Sequence, residues 1–288
     1  MGPELNLKIM KKRSVKKNIS GLPKIGVAGV GFVGGAVRNY FEKEGYPVFV
    51  YDKYKKLGSI EELNEAEWIF ICVPTPYKAK KGFDLSAVKE AVGILLGKKN
   101  VVIKSTVVPG TTESLQKEYP QHKFIFYPEF LREATAHQDF VCPDRQILGV
   151  TGRSREEAKD LLEMLPLAPY SDILSSTQAE IVKYIGNSFL ALKVVFANEI
   201  YELCRKMGID YEPVKTAVGH DKRITHSHLN VSQDGYRGYG GRCFPKDVNA
   251  FIQFAERSGA DLVLLKAMRK INRGFLKRSG LTEQSFLK

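Results

Sequence analysis

The sequence has few cysteines, and their spacing gives no sign of a metal site or a disulfide framework. The four are Cys72, Cys142, Cys204 and Cys243, and they form no C-x-x-C pair and no zinc-type pattern with paired histidines. We therefore predict no bound metal. A lone thiol near charged groups is then either packed in a core or a nucleophile.

Long apolar runs and targeting segments are also missing. No stretch reaches the roughly 20 apolar residues of a membrane span, and the N-terminus lacks the apolar segment and cleavage site of a secretory signal. With 43% hydrophobic and 26% charged residues among 288, the composition is that of a globular protein with one large or two modest domains. We predict a cytoplasmic protein with no membrane partner.

The net charge of +12 is unevenly distributed, because residues 1–24 are rich in lysine and arginine. We predict that residues 1–20 form a basic, disordered tail. The other basic residues are not interleaved with aromatic residues in the manner of a nucleic-acid-binding surface, so we predict no nucleic-acid partner. A moderate positive surplus also suits anionic small molecules.

The first half of the chain contains a glycine pattern typical of dinucleotide binding. "KIGVAGV" indicates a buried strand and "GFVGGAVRNYFEKEG" the helix after it, and Gly29, Gly31 and Gly34 between them form G-x-G-x-x-G. The next strand, "YPVFVYD", ends in Asp52, which is expected to bind the adenosine ribose and repel a 2′-phosphate. This predicts NAD rather than NADP as the cofactor, although Lys53, Lys55 and Lys56 weaken the preference. The alternative interpretation of the glycine motif is an ordinary glycine-rich turn that binds no dinucleotide.

Three further apolar runs, "WIFICV", "VVIKST" and "KFIFYP", each end in an unusual loop, at residues 74–76, 107–112 and 129–136. The carboxyl ends of parallel strands meet at one edge of a sheet, where open α/β sheets bind ligands. We predict an α/β fold whose residues 21–175 form a Rossmann-type parallel-sheet domain. Proline-made turns are the alternative for any one loop.

From about Ser176 the strand–helix alternation stops, and residues 176–288 are predicted to form an all-helical domain. The first helix is long and closed by Gly208. Glu180, Lys183 and Asn187 share one face of it, and apolar side chains cover other faces: Ile181, Ile185, Phe189, Leu192 and Phe196. Such a charged stripe is usually solvated, but here its surroundings are apolar.

Several motifs together resemble the UDP-glucose/GDP-mannose dehydrogenase family. They occur in the family's order between about Lys24 and Glu256: "GVGFVG", "CVPTP", "KSTVVPGTT", "PEFLREATA", "PDRQILGV", "AEIVKYIGNSFLALKVVFANEI", "DKRI" and "GYGGRCFPKD". Within the family, "PDR", "DKRI" and "CFPKD" are more similar to the UDP-glucose 6-dehydrogenase branch than to the GDP-mannose branch.

The resemblance implies a reaction that uses a cysteine. The C6 alcohol of a nucleotide sugar, here UDP-glucose going to UDP-glucuronate, would be oxidised by two hydride transfers to NAD through a cysteine thiohemiacetal and thioester. Cys243 matches the family's nucleophile. Its sequence context agrees, because Pro245 is suited to be the first residue of a helix and a cysteine just before a helix has its thiolate stabilised.

The other functional residues are implied by matching motif positions. Lys183 and Asn187 match the pair that stabilises charge on the substrate oxygen, Glu129 the general acid/base, and Thr106 and Asp247 the holders of the hydrolytic water. Further cofactor-binding positions are Phe32, Val33, Val73, Pro74, Thr75, Thr106 and Glu133. Further substrate-binding positions are Phe130, Leu131, Glu133, Gly240 and Arg223. Arg223 matches an arginine that reaches the active site of a partner subunit, which implies a homodimer formed through the long helix.

Three features depart from the family pattern. The segment between Asp52 and Cys72 is short, Arg242 stands where the family has a small serine, and we predict no C-terminal nucleotide-sugar domain after the last helix. The third departure has three possible explanations: the sequence is a fragment, another chain completes the site, or the substrate is held differently. Two other functions also stay open: a β-hydroxyacid-type dehydrogenase, which would leave Cys243 unexplained, and a non-catalytic NAD-binding dimer.

Overall fold

The computed structural model describes residues 21–78, 82–233 and 235–287, so the predicted tail of residues 1–20 lies outside the described residues. The chain divides into two compact units. The sheet unit comprises the residues up to 75 together with 85–180, and the helical unit comprises residues 76–84 and 181–288. The division therefore falls inside the long helix (Ser176–Lys206) and assigns residues 76–84, an internal segment, to the second unit.

The sheet unit is built on a seven-stranded sheet with the strand order β2-β1-β3-β6-β7-β8-β9. Its strands are short and largely apolar, so the central ones are buried on both faces. They are β1 (Ile25–Ala28), β2 (Val48–Tyr51), β3 (Trp68–Ile71), β6 (Asn100–Ile103), β7 (Lys123–Phe126), β8 (Arg145–Val150) and β9 (Tyr170–Ser175). Each apolar run singled out in the sequence is one of these strands.

Helices follow most of these strands and cover the sheet. They are α1 (Phe32–Lys43), α2 (Ile60–Asn64), α3 (Ser86–Gly93), α4 (Thr111–Glu118), α5 (Ala136–Val141) and α6 (Arg155–Met164). The short segment after Asp52 forms α2, whose start is fixed by a capping box: the Ser59 hydroxyl accepts from Glu62 N at 3.1 Å and the Glu62 carboxylate accepts from Ser59 N at 3.1 Å. The α/β prediction is confirmed.

One strand pair departs from the all-parallel sheet that the sequence predicts. β8 runs antiparallel to β7, with Ile125 opposite Val150, while β8 and β9 are parallel to each other. The connection between β7 and β8 carries a 3₁₀ turn (Glu133–Thr135) and the six-residue helix α5, which packs against α1. An antiparallel neighbour needs no crossover that returns the chain to the opposite edge of the sheet, so this connection does not have to carry a long helix.

In the residues that the structure describes, the helical unit consists mainly of four helices and two small hairpins. The helices are α7 (Ser176–Lys206, whose first five residues belong to the sheet unit), α8 (Tyr211–Gly219), α9 (Phe244–Arg257) and α10 (Val263–Arg278). The hairpins pair β4 (Tyr77–Lys78) with β5 (Gly82–Phe83), and β10 (Ser232–Gln233) with β11 (Tyr236–Arg237). Its main core contains Ala191, Val194, Val195, Tyr239, Val248, Ile252, Met268 and Phe275.

The long helix ends where the sequence predicts. Gly208 has φ +70°, the left-handed conformation that glycine adopts without strain after a helix. Within the described ranges, α7 and every other helix lack the combination of length and apolar character that a bilayer span requires.

Candidate active site

The glycine turn after β1 is shaped so that only glycine fits at two of its positions. Gly29 has φ +88°, and a Cβ there would lie 2.8 Å from the carbonyl oxygen of Cys72. A Cβ on Gly34 would lie 1.9 Å from the carbonyl oxygen of Gly29. At Gly31, by contrast, a Cβ would meet nothing within 4 Å, so open space remains beside the start of α1. A pyrophosphate can approach the first-turn N–H groups there.

Asp52, at the end of β2, is held by backbone amides. Val30 N donates to its Oδ2 at 2.8 Å, and Tyr54 N and Lys55 N donate to its Oδ1 at 3.1 Å and 3.0 Å. Burial alone would raise the pKa of Asp52, but these amides and the nearby Lys55 ammonium together hold it below its usual value. An ionised carboxylate has about four acceptor positions, so capacity remains for a ribose hydroxyl.

An open cleft with a volume of about 520 Å³ adjoins Asp52. Its lining residues are Ala28, Gly29, Tyr51, Asp52, Lys53, Tyr54, Val73, Pro74, Ala87, Glu90, Ala91 and Ile94. Four predicted cofactor residues, Gly29, Asp52, Val73 and Pro74, are therefore in its wall. The other predicted cofactor residues are not: Gly31, Phe32, Val33, Gly34, Thr75, Thr106 and Glu133. The Lys53 ammonium, which could favour a 2′-phosphate, lies 2.6 Å from the Glu90 carboxylate.

The loops after β3 and β6 hold each other by side-chain hydrogen bonds. The Thr75 hydroxyl donates to the carbonyl oxygen of Thr106 at 2.7 Å, and the Ser105 hydroxyl donates to that of Val73 at 2.7 Å. All of these groups except Val73 are buried. The two predicted threonines thus lie together, and Ser105 is an additional member that the motif reading did not assign.

The loop after β7 buries Glu129 but exposes Glu133. Leu131 N donates to the Glu129 carboxylate at 3.0 Å, and Glu133 begins an exposed 3₁₀ turn (Glu133–Thr135). The Arg145 guanidinium lies 4.0 Å from the centre of the Phe130 ring, a cation–π contact. Through this contact, Arg145, the arginine of the "PDR" motif, packs against the loop after β7.

In the helical unit, Cys243 occupies the N-cap position of α9 and is half-buried. Its carbonyl accepts the hydrogen bond of Asp247 N at 3.0 Å, which closes the first helical turn. Phe244 is the first helical residue, so the prediction of Pro245 there is wrong by one position. Proline is tolerated at either position because the first N–H groups of a helix have no intrahelical acceptor.

Asp247 is completely buried, and both its carboxylate oxygens have partners. Asn187 Nδ2 donates to Oδ2 at 2.5 Å, and Lys246 Nζ lies 2.5 Å from Oδ1. Asn187 is on α7 and Asp247 on α9, so the structure joins two residues that are far apart in the sequence. No role was assigned to Lys246 from the sequence, although it pairs with the Asp247 carboxylate here. Its position next to Asp247 in "CFPKD" is the sequence feature that could have indicated this pairing.

The charged face of α7 is buried rather than solvated. Lys183 and Glu180 are both almost completely enclosed. Glu180 lies in the sheet unit, where its carboxylate accepts from Gly110 N at 2.5 Å, Thr112 N at 2.9 Å and the Thr112 hydroxyl at 2.7 Å. It therefore caps the N-terminus of α4. Burial raises the pKa of Glu180 to about 7, against the opposing effect of these hydrogen bonds.

Two predicted substrate residues have quite different surroundings. The Arg223 side chain is 89% exposed and forms a two-point ion pair with Asp221, at 2.6 Å for the shorter contact. Gly240 is tightly enclosed, because a Cβ there would lie 2.5 Å from the Tyr236 hydroxyl and 2.6 Å from the Phe286 ring. Arg242 is exposed.

The predicted catalytic residues are divided between the units. Thr106 and Glu129 belong to the sheet unit. The other four belong to the helical unit: Lys183, Asn187, Cys243 and Asp247.

No group of three or more His, Cys, Asp or Glu side chains suited to a metal ion occurs in the described part of the chain.

Comparisons with known proteins give the family. Residues 57–165 match the NAD binding domain of the UDP-glucose/GDP-mannose dehydrogenase family, and residues 177–274 match its central domain. A UDP-glucose dehydrogenase from the hyperthermophilic archaeon Pyrobaculum islandicum is 32% identical, with a TM-score of 0.80 over 92% of this chain and 70% of that one. The chain belongs to the UDP-glucose/GDP-mannose dehydrogenase family. NAD is its cofactor, and the glycine turn, Asp52 and the adjoining cleft fit that molecule.

Two other proteins are similar to this chain, one in sequence and one in fold only. The UDP-glucose 6-dehydrogenase of Rickettsia bellii is 37% identical over 227 residues, which are 74% of this chain and 50% of that protein. The chain thus spans about half the length of the curated relatives it matches. A 3-hydroxyisobutyrate dehydrogenase from Mycobacterium tuberculosis is 14% identical, with a TM-score of 0.70 over 92% of this chain and 98% of that one. This last likeness is one of fold alone.

Proposed function

We propose that this chain is an NAD-dependent nucleotide-sugar 6-dehydrogenase that oxidises UDP-glucose to UDP-glucuronate. The observation that carries the proposal is Cys243 at the N-cap of α9, in a chain of this family. A thiol at a helix N-terminus is stabilised as the thiolate, which is the nucleophilic form.

The thiol makes two successive oxidations possible. The C6 alcohol first loses a hydride and a proton to become an aldehyde, and the Cys243 thiolate adds to the aldehyde carbon to give a thiohemiacetal. Loss of a second hydride and a proton gives a thioester. Water then adds to the thioester carbon, the C–S bond breaks, and the acid and the free thiol result. NAD, when bound, accepts one hydride in each oxidation.

Other side chains supply charge stabilisation and proton transfer. We assign the Lys183 ammonium and the Asn187 amide to the substrate oxygen that becomes negative. Asn187 donates one N–H to Asp247, and its amide nitrogen carries a second. Asp247 and Thr106 are assigned to the hydrolytic water and Glu129 to proton transfer. The Lys246 ammonium balances the Asp247 carboxylate, which would otherwise oppose a thiolate in the same helical turn.

The stoichiometry of NADH production tests this function. Purified protein is incubated with NAD and limiting amounts of UDP-glucose, GDP-mannose, UDP-N-acetylmannosamine or 3-hydroxyisobutyrate, and NADH and products are quantified. We expect two NADH for each UDP-glucose and accumulation of UDP-glucuronate. One NADH per substrate with a hydroxy acid would favour a β-hydroxyacid dehydrogenase, and NAD binding without any turnover would favour a non-catalytic NAD-binding protein.

We also propose that α7 forms a homodimer, which would let Arg223 act in the partner's site. Five apolar side chains at intervals of four or seven residues are more than half exposed along α7 and its end: Ile185, Phe189, Phe196, Leu203 and Met207. These intervals place them on one stripe, which favours pairing with a second copy.

Two leucines provide a matched test of the dimer. Leu203 lies in the stripe and Leu167 in the sheet unit, and each is 53% exposed. We expect Leu203→Glu to weaken the dimer by at least about tenfold in sedimentation velocity, because it places a charge in an apolar contact, whereas Leu167→Glu has no effect. A wild-type monomer at micromolar concentration would rule out both the dimer and the role of Arg223.

A further inference from the structure

The loop that leads into Cys243 is anchored by one buried asparagine on α10. We call residues 236–242 the thiol loop. Asn272 has no exposed surface, its Oδ1 accepts from Tyr239 N at 2.7 Å, and its Nδ2 donates to the Tyr239 carbonyl at 3.0 Å. A single side chain thus satisfies both backbone polar groups of a buried loop residue, which would otherwise be costly to bury.

The thiol loop approaches this asparagine closely because of its glycines. Gly238 has φ +85°, and a Cβ there would lie 2.4 Å from Asn272 Oδ1. On the other side of Tyr239, Gly240 is enclosed by the Tyr236 hydroxyl and the Phe286 ring. The loop therefore has no room to shift towards α10 while Asn272 is in place.

The start of the thiol loop is tied down separately. Arg237 N donates to the Ser279 hydroxyl at 3.2 Å, and the Arg237 guanidinium donates to Asn198 Oδ1 at 2.8 Å and to the Asn198 carbonyl at 3.0 Å. Between this anchor and α9, the two hydrogen bonds of Asn272 hold Tyr239, four positions before Cys243. Since Cys243 is the N-cap residue, the path of the loop decides whether its sulfur lies at the helix N-terminus.

We propose that Asn272 is a positioning residue for Cys243: by fixing Tyr239 it keeps the thiol at the N-terminus of α9, where the thiolate is stabilised. The proposal rests on the proposed role of Cys243 as the nucleophile. Asn272 belongs to none of the assigned catalytic or cofactor sites, and it acts only through the loop.

Thiol alkylation tests this without any turnover. Wild-type protein and the variants Asn272→Leu and Gly238→Ala are treated with iodoacetamide between pH 5 and 10, and alkylation of Cys243 and of the exposed Cys142 is quantified by peptide mass spectrometry. The matched control is Asn64→Leu. Asn64 brackets backbone groups in the same way in the sheet unit, donating to the carbonyls of Ile60 at 2.9 Å and Ile94 at 3.0 Å and accepting from Leu96 N at 2.7 Å.

We expect both loop variants to slow Cys243 alkylation at neutral pH by about tenfold and to move its pH midpoint up by about one pH unit. In both loop variants, NAD affinity and the alkylation rate of Cys142 should stay at the wild-type values. In the Asn64→Leu protein, the alkylation rate of Cys243 should also stay at the wild-type value. Gly238→Ala perturbs the same contact from the loop side, so it decides the matter if Asn272→Leu fails to fold. Wild-type alkylation rates in a folded loop variant would overturn the inference. A wild-type Cys243 that titrates like Cys142 would instead overturn the proposed nucleophile.

Discussion

The two units hold their proposed functional groups on different kinds of backbone. In the sheet unit, Asp52, Thr106 and Glu129 lie in loops at the ends of β2, β6 and β7. The Asp52 and Glu129 carboxylates accept from backbone amides of nearby residues, and the Thr106 carbonyl accepts from the Thr75 hydroxyl of the neighbouring loop. In the helical unit, Asn187 and Asp247 lie on different helices and hydrogen-bond to each other through side chains. Loop groups are therefore positioned by the sheet, and helix groups by how the helices pack.

This difference predicts that each unit can be disabled without loss of the other's property. Dinucleotide binding should depend on residues of the sheet unit, above all on the glycine turn and Asp52. Thiol reactivity should depend on α9 and the thiol loop. The variants below separate these two properties.

The largest effect is expected from Cys243→Ser. A serine hydroxyl is rarely ionised and forms no thioester, so formation of UDP-glucuronate should fall by roughly a thousandfold or more. NAD affinity, measured by calorimetry, should stay at the wild-type value. The matched control is Cys142→Ser, which removes an exposed thiol and should leave both properties intact. Undiminished acid formation by Cys243→Ser would contradict the thioester route.

The converse variant is Gly34→Ala. The added Cβ would lie 1.9 Å from the Gly29 carbonyl oxygen and force the turn open, so NAD affinity should fall by several hundredfold, corresponding to about 3 kcal/mol or more. Alkylation of Cys243 should be unchanged.

The neighbouring Gly35 is the control for this substitution. A Cβ on Gly35 meets nothing within 4 Å, so Gly35→Ala should preserve NAD binding and stabilise α1 by up to about 1 kcal/mol. Equal NAD affinities for the two alanine variants would show that the turn does not need glycine at position 34.

The same contrast explains what could be predicted from the sequence. The strands and the glycine turn are local features: apolar runs of strand length, and a spacing that the G-x-G-x-x-G motif requires. The end of α7 at Gly208 is local in the same sense. The antiparallel direction of β8 could not be predicted, because an apolar strand pattern does not encode which way its neighbour runs.

In the helical unit, the motifs supply residue types but not their pairing. The bond between Asn187 and Asp247 and the anchoring of Tyr239 by Asn272 join residues that are distant in the sequence, so they follow from tertiary packing. Because Glu180 shares a helix face with Lys183 and Asn187, the sequence suggested that the three side chains lie together, yet the Glu180 carboxylate caps α4. A helical period identifies a common face, but it does not identify what each side chain on that face meets.

The preference for NAD over NADP tests the role of Asp52 in the sheet unit. Placing a 2′-phosphate beside the Asp52 carboxylate should cost a few kcal/mol, so calorimetry should give NAD about a hundredfold higher affinity than NADP. Glu90→Gln should release Lys53 from its ion pair and raise NADP affinity relative to NAD affinity by roughly two- to fivefold. Tighter binding of NADP than NAD by the wild-type protein would contradict the role of Asp52.

The smallest expected effect is a pH dependence of stability that arises from Glu180. Its pKa of about 7 in the folded protein lies above the ordinary value of 4.5, so between these values the folded state binds more protons than the unfolded state. The contribution of Glu180 to stability is therefore fully present below about pH 4.5 and is lost as the pH rises through about 7.

Comparison with Glu180→Gln isolates this contribution. The glutamine amide does not titrate, so the free energy of unfolding of wild type relative to the variant should fall by about 3 kcal/mol between pH 4.5 and 8, measured by urea unfolding. The variant loses an acceptor for Gly110 N, which shifts its stability at every pH but not the slope. Glu163→Gln, at an exposed position of α6, should follow the wild-type pH dependence. A constant difference between wild type and Glu180→Gln over this range would mean that Glu180 stays ionised when buried, with the donors at the start of α4 outweighing its desolvation.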